Sequence, residues 1–225
     1  MRQRGWRLGI KRAVDVAVAG SGLLAGLPVL AATALVIRVT DGSPVLFRQP
    51  RPGREGEPFV LVKFRTMTNA VGPDGQQKPD GARLTRVGRL LRSLSLDELP
   101  QLWNVFRGDM SLVGPRPLLM QYLPRYTARQ ARRHEVLPGI TGWAQVNGRN
   151  ALRHEERFEL DVWYVDNWSL LLDARILWMT VRTVFNRSGI ASENHATMPE
   201  FFGTDERDYS VAGMAPHARA GGPVC

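Results

Sequence analysis

Two adjacent carboxylates, Asp97 and Glu98, are the residues of this sequence best suited to chemistry on an anionic substrate. A carboxylate can attack phosphorus as a nucleophile, and it can also bind Mg²⁺. Arginines precede and follow the pair in the chain, at Arg92 and Arg116. A structural role fits equally well, because Ser95 followed three residues later by Glu98 matches the capping box of a helix start. The residues alone leave both interpretations open.

Further cations occur at positions that could serve the same anion. Lys63 and Arg65 follow a short apolar segment that predicts a strand, although charged residues at such a place often only face solvent. Arg116 lies between two prolines, which restrict its backbone and preorganise its charge. Arginines also recur at every third position from Arg83 to Arg92, a pattern that fits a solvated helix face as well as a binding surface.

Composition narrows the class of protein. The 225 residues carry 30 Lys and Arg against 21 Asp and Glu, a net charge of +9 that favours a polyanionic partner. The single cysteine, Cys225, excludes an intramolecular disulfide and a cysteine-based zinc site. We find no Walker loop, dinucleotide-binding glycine pattern or zinc-protease motif. Soluble on average, with a mean hydropathy of −0.21, the chain nevertheless holds one long apolar segment.

That segment, from Val16 to Ile37, contains no charged residue over about 22 positions, the length of a bilayer core. Pro28 lies within it and predicts a kink, because proline removes a helical hydrogen bond. Basic residues lie on both sides, in the cluster from Arg2 to Arg12 and at Arg38, without the charge asymmetry of most spanning helices. We therefore expect a re-entrant membrane helix; a spanning helix and a buried, kinked core helix are the alternatives.

The remaining pattern predicts a mainly helical α+β fold with a small β-hairpin and interfacial amphipathic helices. Strands are expected at Val45–Phe47 and Phe59–Val62, and the segment between them, Arg48–Pro58, is expected to be a hairpin or a loop. The helices, the connector and one ambiguous segment are expected as follows: helices at Arg83–Leu94, from Ser95, at Pro124–Val136, at Arg153–Asp166 and at Ser169–Asn186; a turn-rich connector at Gly108–Pro117; and a strand or loop at Trp143–Gly148. The apolar, tryptophan-flanked helix at Ser169–Asn186 fits either a membrane interface or the core.

Five motifs in one order behind one apolar segment make a combination more specific than any of them alone. They are Gly42–Gln49, Lys63–Met67, Ser95–Leu102, Gly108–Pro117 and Pro138–Gly148. Together they resemble the bacterial sugar transferase family, the monotopic polyprenyl-phosphate sugar-1-phosphate transferases, in its minimal single-domain form. The resemblance runs from about Lys11 to about Phe202. One departure is Leu27 before Pro28, where the family often has serine.

The resemblance implies transfer of a sugar-1-phosphate from a UDP-sugar to undecaprenyl phosphate, with release of UMP, as the first membrane step of a surface polysaccharide such as exopolysaccharide or lipopolysaccharide. It implies that Asp97 is the nucleophile, that Glu98 completes the dyad, and that Mg²⁺ binds at Asp97. Lys63, Arg92 and Arg116 match cations of the phosphate site, and Arg65 lies in the same motif. The expected location is the inner membrane of a bacterium, with the catalytic domain on the cytoplasmic face.

This interpretation divides the chain into a membrane segment (1–38), a catalytic domain (39–202) and a disordered tail (203–225). Anionic membrane lipid is an expected partner of the basic surface, a homodimer is plausible, and nucleic acid is not expected. Two other classes compete with the enzyme: a membrane adaptor whose arginines only bind lipid, and a nucleic-acid binder suggested by the pI of about 10.7. Neither explains the five ordered motifs.

Overall fold

Short helices and two small sheets pack along one long N-terminal helix. The computed structural model describes residues 5–73, 75–148, 152–185 and 201–203. Within these ranges the elements are α1 (Trp6–Thr40), β1 (Leu46–Pro52), β2 (Pro58–Phe64), α2 (Asp80–Arg83), α3 (Arg86–Ser93), α4 (Gln101–Arg107), β3 (Ser111–Val113), α5 (Ala128–Ala131), β4 (Gly139–Thr141), α6 (Trp143–Asn147), α7 (His154–Asn167) and α8 (Leu170–Phe185). The predicted mainly helical α+β class is confirmed.

Helix α1 continues through Pro28 as one helix of 35 residues, rather than as two separate arms. Proline removes a single hydrogen bond, and a helix this long retains many others on each side. In the described part of the chain, α1 is the one helix long and apolar enough to cross a membrane, judged by length and composition. Only 11% of its most apolar 18-residue window is buried, in keeping with membrane association and against a core helix.

One face of α1 lies against the body from end to end. Its buried residues are Lys11, Asp15, Ala19, Thr33 and Ile37. Ile37 packs with Phe64 and Leu91, so the carboxyl-terminal end of the helix contacts the body just as the amino-terminal end does. The opposite face is apolar and exposed, at Ile10, Val14, Val18, Leu24, Leu27, Leu35 and Val39. The helix therefore presents an apolar stripe along one side of the molecule.

A buried ion pair anchors the first turns of α1. Lys11 Nζ lies 2.7 Å from Asp173 Oδ2 in α8 and donates to the carbonyl oxygen of Val113 at 3.0 Å. One turn later, Asp15 Oδ1 accepts from the Leu112 amide at 3.0 Å. Two ring donors satisfy the remaining lone pairs of the Asp173 carboxylate: Tyr164 Oη at 2.7 Å and Trp168 Nε1 at 3.1 Å. Helix α1 is thereby fixed to both α8 and β3.

The β1–β2 hairpin separates two regions of the protein. Its antiparallel register pairs Phe47 with Lys63 and Arg48 with Val62. Because paired residues share a face and neighbours alternate, Lys63 projects to one side of the hairpin and Arg48 to the other. Both strands are longer than predicted. Of the two interpretations of the segment from Arg48 to Pro58, hairpin or loop, the hairpin is confirmed, and Pro50 and Pro52 are accommodated in its first strand.

Several elements differ from the sequence-based expectations. The helix expected at Pro124–Val136 is divided between α5 and flanking 3₁₀ turns. The segment Trp143–Gly148, expected to be a strand or loop, begins with α6. The connector Gly108–Pro117 contains β3, which pairs in parallel with β4. Such short segments follow tertiary contacts more than local pattern.

Helices α7 and α8 confirm the two carboxyl-terminal helices that were predicted. The core interpretation of α8 is confirmed for one face of the helix, and the other face is apolar and exposed. Asp173 and Ile176 are buried, whereas Leu171 is 80% exposed and Trp178 is 62% exposed. The tail expected to be disordered lies outside the described residues, apart from Gly203.

Burial of His134 makes the stability of the protein depend on pH. Burial, followed by repulsion from Arg133, lowers the pKa of His134 to about 4 from an ordinary 6.5. Between these values the unfolded chain binds more protons than the folded one, so stability rises with pH. We expect acidification from pH 7 to pH 4 to cost about 3 kcal/mol through this residue.

The variant His134→Asn should lose this pH-dependent part of the free energy of unfolding, because an amide does not titrate in this range. The amide can still donate to the carbonyl oxygen of Gly53, which lies 3.3 Å from His134 Nδ1. Denaturant unfolding of both proteins in detergent between pH 4 and pH 7 measures the difference. If the free energies of unfolding of the two proteins changed with pH in parallel, His134 would not be the source of the pH dependence.

Candidate active site

Asp97 and Glu98 lie in a 3₁₀ turn, Leu96–Glu98, between α3 and α4. The predicted capping box is wrong: Ser95 has a left-handed backbone, with φ 56°, and its side chain makes no capping hydrogen bond. An N-cap residue needs an extended backbone to direct its oxygen at the following amides. Glu98 is therefore free of that role, and its side chain turns to Arg116 instead.

Glu98 and Arg116 form a two-pronged ion pair. Arg116 Nη2 donates to Glu98 Oε1 in a short contact, and Nη1 lies 3.4 Å from Oε2. The charge of Glu98 raises the pKa of Arg116. Burial on its own would raise the pKa of Glu98, but the charge and hydrogen bonds of Arg116 outweigh it, and the pKa is lowered. Glu98 is thus an ionised group that holds a guanidinium in place.

Asp97 is the more deeply buried member of the pair, with 6% of its surface exposed. Burial, followed by repulsion from Glu98, raises the pKa of Asp97 above the ordinary carboxyl range. Three cations act in the opposite direction by stabilising its negative charge: Lys63, Arg92 and Arg116. The structure therefore brings four other predicted site residues, Glu98 and the three cations, together around the Asp97 carboxylate.

Each of the three cations comes from a different element. Lys63 extends from β2, with Nζ 5.1 Å from the centre of the Phe47 ring. Burial, followed by repulsion from Arg92, lowers the pKa of Lys63. Arg92 occupies the last turn of α3, where its Nε donates to Thr66 Oγ1 at 3.1 Å. The cluster therefore forms only when the hairpin, α3 and the segment after β3 meet.

A second buried ion pair supports Arg116 from behind and was not anticipated from the sequence. Arg133 Nη2 donates to the backbone oxygen of Arg116 at 2.7 Å, and the same nitrogen lies 2.7 Å from Asp161 Oδ2. Arg133 and Asp161 are almost fully buried. The burial of Asp161 could have been predicted from the sequence, since it shares a helical face with Phe158 and Val165 and so occupies a core position in α7. Arg133 lies within a run of basic residues, and no pattern in the sequence indicates that it is buried.

Two predicted residues lie apart from this cluster. The Arg65 guanidinium donates to backbone oxygens of the α1–β1 connector, those of Asp41, Ser43 and Gly42, the last two at 2.7 and 3.0 Å. These bonds give Arg65 a structural role and direct it to the end of α1. Pro28 lies on the exposed side of α1, away from the carboxylates.

The side chains around Asp97 show whether the predicted Mg²⁺ could bind there. Among the described residues there is no group of three or more His, Cys, Asp or Glu side chains that could enclose a metal ion. Mg²⁺ at phosphate-transfer sites is usually held by one or two carboxylates together with substrate phosphates. Asp97 fits that arrangement, because Glu98 is committed to Arg116.

Comparison with known proteins shows the family of the chain. Residues 6–187 match the bacterial sugar transferase family. The chain belongs to this family. The uncharacterized sugar transferase EpsL of Bacillus subtilis (strain 168) is 57% identical over 197 residues, which are 88% of this chain and 98% of that protein.

Longer members of the family align with this chain through part of their length. An undecaprenyl-phosphate glucose phosphotransferase of Komagataeibacter xylinus is 43% identical over 81% of this chain and 37% of its own. A UDP-glucose:undecaprenyl-phosphate glucose-1-phosphate transferase of Escherichia coli (strain K12) is 42% identical over 76% of this chain and 39% of its own. The chain thus spans nearly all of EpsL and less than half of these two relatives.

Gly114, two residues before Arg116, tests how the site is positioned. A Cβ at Gly114 would lie 2.3 Å from the backbone oxygen of Leu137 and 2.9 Å from the Gly139 nitrogen, so β3 and β4 would have to separate. We expect Gly114→Ala to lower the free energy of unfolding by about 1–3 kcal/mol.

Gly9→Ala is the matched control, because a Cβ there meets nothing within 4 Å. In a helix interior this change should be neutral or stabilise by about 0.5–1 kcal/mol. Thermal unfolding of the full chain in detergent compares the two variants. Equal stabilities would show that the close approach at Gly114 is unimportant.

Proposed function

We propose that this protein transfers a sugar-1-phosphate from a UDP-sugar to undecaprenyl phosphate, releasing UMP and forming a lipid diphosphate sugar. The observation that carries the proposal is the buried Asp97 carboxylate among Lys63, Arg92 and Arg116 in a member of the bacterial sugar transferase family. The names of the relatives from Escherichia coli and Komagataeibacter xylinus supply the donor and acceptor classes.

The chemistry has two steps at one phosphorus atom. An Asp97 carboxylate oxygen attacks the phosphorus that bears the sugar, and the bond to the bridging oxygen of the diphosphate breaks, so that UMP leaves with that oxygen. A phosphate oxygen of the lipid then attacks the same phosphorus and breaks the bond to Asp97. The products are the lipid diphosphate sugar and the original carboxylate, and no electrons are gained or lost.

The cations make the first step possible. A carboxylate and a diphosphate repel one another, and desolvation strengthens the repulsion. Lys63, Arg92 and Arg116 offset it and would also stabilise the charge that develops on the leaving phosphate. Burial raises the pKa of Asp97, and a more basic carboxylate is a stronger nucleophile once ionised. Glu98 contributes by holding the Arg116 guanidinium in a defined orientation.

Mg²⁺ is part of the proposal. Asp97 is the carboxylate available to hold it, together with the phosphates of the donor. When bound, the ion would offset the negative charge of the diphosphate. The protein's own residues orient the substrate and provide the nucleophile.

The proposal also includes re-entrance of α1, with both of its ends on one side of the membrane; this requires the helix, which is continuous through Pro28 in the structure, to bend at that proline in the bilayer. Both ends of the helix contact one body, through Lys11 and Asp173 at the start and through Ile37 and Phe64 at the end. A helix crossing the bilayer would carry those ends to opposite surfaces. The exposed apolar stripe of α1 would then lie in lipid, and the active site would face both the aqueous donor and the lipid acceptor.

Release of UMP tests the reaction. The full chain in detergent with Mg²⁺ and undecaprenyl phosphate should release UMP from at least one of a panel of UDP-sugars. Asp97→Asn should remove both turnover and the covalent phosphosugar adduct, a loss of at least about 10³-fold, because an amide is a poor nucleophile.

Asp166→Asn is the matched control; this exposed aspartate pairs with Arg132 at the surface, where such pairs contribute little. Removing Mg²⁺ with EDTA should stop the same release, and adding Mg²⁺ back should restore it. Turnover retained by Asp97→Asn would remove Asp97 as the nucleophile, and absence of UMP from every donor would refute the proposed reaction.

Topology is tested by labelling single cysteines. In a Cys225→Ser background, cysteines at Arg7 and Thr40 should react with a membrane-impermeant maleimide from the same side of inverted inner-membrane vesicles. Both positions are exposed on α1, so accessibility depends on the membrane and not on burial in the protein. Labelling from opposite sides would mean that the helix spans the bilayer.

A further inference from the structure

A groove lies on the side of the β1–β2 hairpin opposite to Lys63. Its volume is about 820 Å³, and α1, the hairpin and α4 form its walls. The lining is mostly aliphatic and aromatic, and it includes Leu23, Leu30 and Ala34 from α1, Val60 and Val62 from β2, and Trp103 from α4. Arg48, Asn104 and Arg107 are its polar members. Ligand sites in proteins typically occupy about 300–1,000 Å³, so the groove is large enough for part of a lipid.

We propose that this groove binds an anionic phospholipid, with an acyl chain between α1 and the hairpin and the headgroup phosphate on Arg48 and Arg107. The occupant is neither the donor nor the acceptor of the reaction. The site therefore adds a lipid ligand to the protein and does not depend on the proposed activity.

The two arginines supply the charge complementarity. In the described part of the chain the Arg48 side chain makes no hydrogen bond or ion pair, and it is exposed. Arg107 has a single weak ion pair, with Nε 3.7 Å from Asp109 Oδ2, and its side chain is 60% exposed. Asn104 does not compete for a ligand, because it is occupied by the backbone of Val60 and Val62. Two available guanidinium groups at the edge of an apolar recess match a phosphate joined to a hydrocarbon chain.

The hairpin register separates this site from the reacting phosphate. Arg48 shares a face with Val62, and Lys63 lies on the opposite face with Phe47. Arg107 ends α4, whereas Asp97 precedes the start of that helix. A phosphate held by Arg48 and Arg107 is therefore not in the cluster around Asp97. This placement favours a resident phospholipid over the polyprenyl phosphate that must react.

The surroundings place the groove where lipid is available. Leu23, Leu30 and Ala34 belong to α1, whose opposite face is the exposed apolar stripe. Trp103, 48% exposed, stacks on Phe106 with ring centres 6.0 Å apart. Exposed tryptophan beside arginine is typical of the membrane–water interface. An acyl chain would shield aliphatic walls that water otherwise contacts.

Quenching of tryptophan fluorescence by phosphatidylglycerol with a brominated acyl chain tests the site directly. The full chain is titrated in neutral detergent, and Trp103 reports occupation of the groove. We expect saturable quenching that is largely lost in Trp103→Phe. The double variant Arg48→Gln/Arg107→Gln should weaken binding by about tenfold or more, which corresponds to about 1.4 kcal/mol.

Matched controls separate the groove from general surface charge and hydrophobicity. Arg38→Gln/Arg54→Gln removes two exposed arginines elsewhere and should leave binding unchanged. Val60→Trp should block the groove and abolish quenching of Trp103, whereas Val71→Trp alters an exposed valine outside it. Thermal unfolding confirms that each variant is folded. Lipid binding is measured without turnover, so its outcome does not depend on whether the proposed reaction occurs.

Three outcomes would overturn the proposal. Brominated phosphatidylcholine binding as tightly as phosphatidylglycerol would show that charge is not recognised. Displacement of phosphatidylglycerol by an equimolar amount of undecaprenyl phosphate would assign the groove to the acceptor. Unchanged affinity in the Arg48→Gln/Arg107→Gln variant would remove the arginines as headgroup ligands.

Discussion

The buried ion pair between Lys11 and Asp173 is the interaction on which the rest of the structure depends. A lysine at the edge of an apolar membrane segment would normally seek water, yet here the aspartate and a backbone oxygen satisfy it inside the protein. The backbone partner, Val113, belongs to β3, and Arg116 follows that strand after two residues. Anchoring of α1 and placement of a cation of the candidate site therefore share one set of contacts. Loss of either Lys11 or Asp173 would leave the other charge buried and unpaired.

Asp97, like Lys11 and Asp173, is a buried charge with groups of opposite charge nearby. Burial raises the pKa of the carboxylate, while the neighbouring cations favour its charged form. Arg116 is shared between this carboxylate and Glu98, and Arg133 holds the Arg116 backbone from the other side. The site is thus an unequal pair of acids: one fixes a cation, and the other remains available. That asymmetry is what the proposed role of Asp97 as the nucleophile requires.

Particular residues show how far prediction from sequence could go. Asp97, Glu98, Lys63, Arg92 and Arg116 were predicted from motifs, and the structure brings them together. Arg65, in the same motif as Lys63, lies with the α1 connector instead, because the strand ends between them and the chain changes direction. The predicted Ser95 cap failed for a related reason: a left-handed backbone redirects a side chain that the pattern alone would aim at the helix. Local backbone conformation of this kind depends on neighbours distant in the chain.

The sequence by itself determined the apolar segment and the mainly helical class, since each depends on composition or on spacing within one segment. It also determined the family resemblance, through five motifs in a fixed order, and the resemblance in turn indicated the residues of the cationic site. Tertiary structure decided that α1 lies along the body, that Arg133 and Asp161 support Arg116, and that Arg48 and Lys63 face opposite sides of the hairpin. These features arise from the register of paired strands and from partners far apart in the chain. A buried charge is stable only beside its partner, and the fold alone brings the two together.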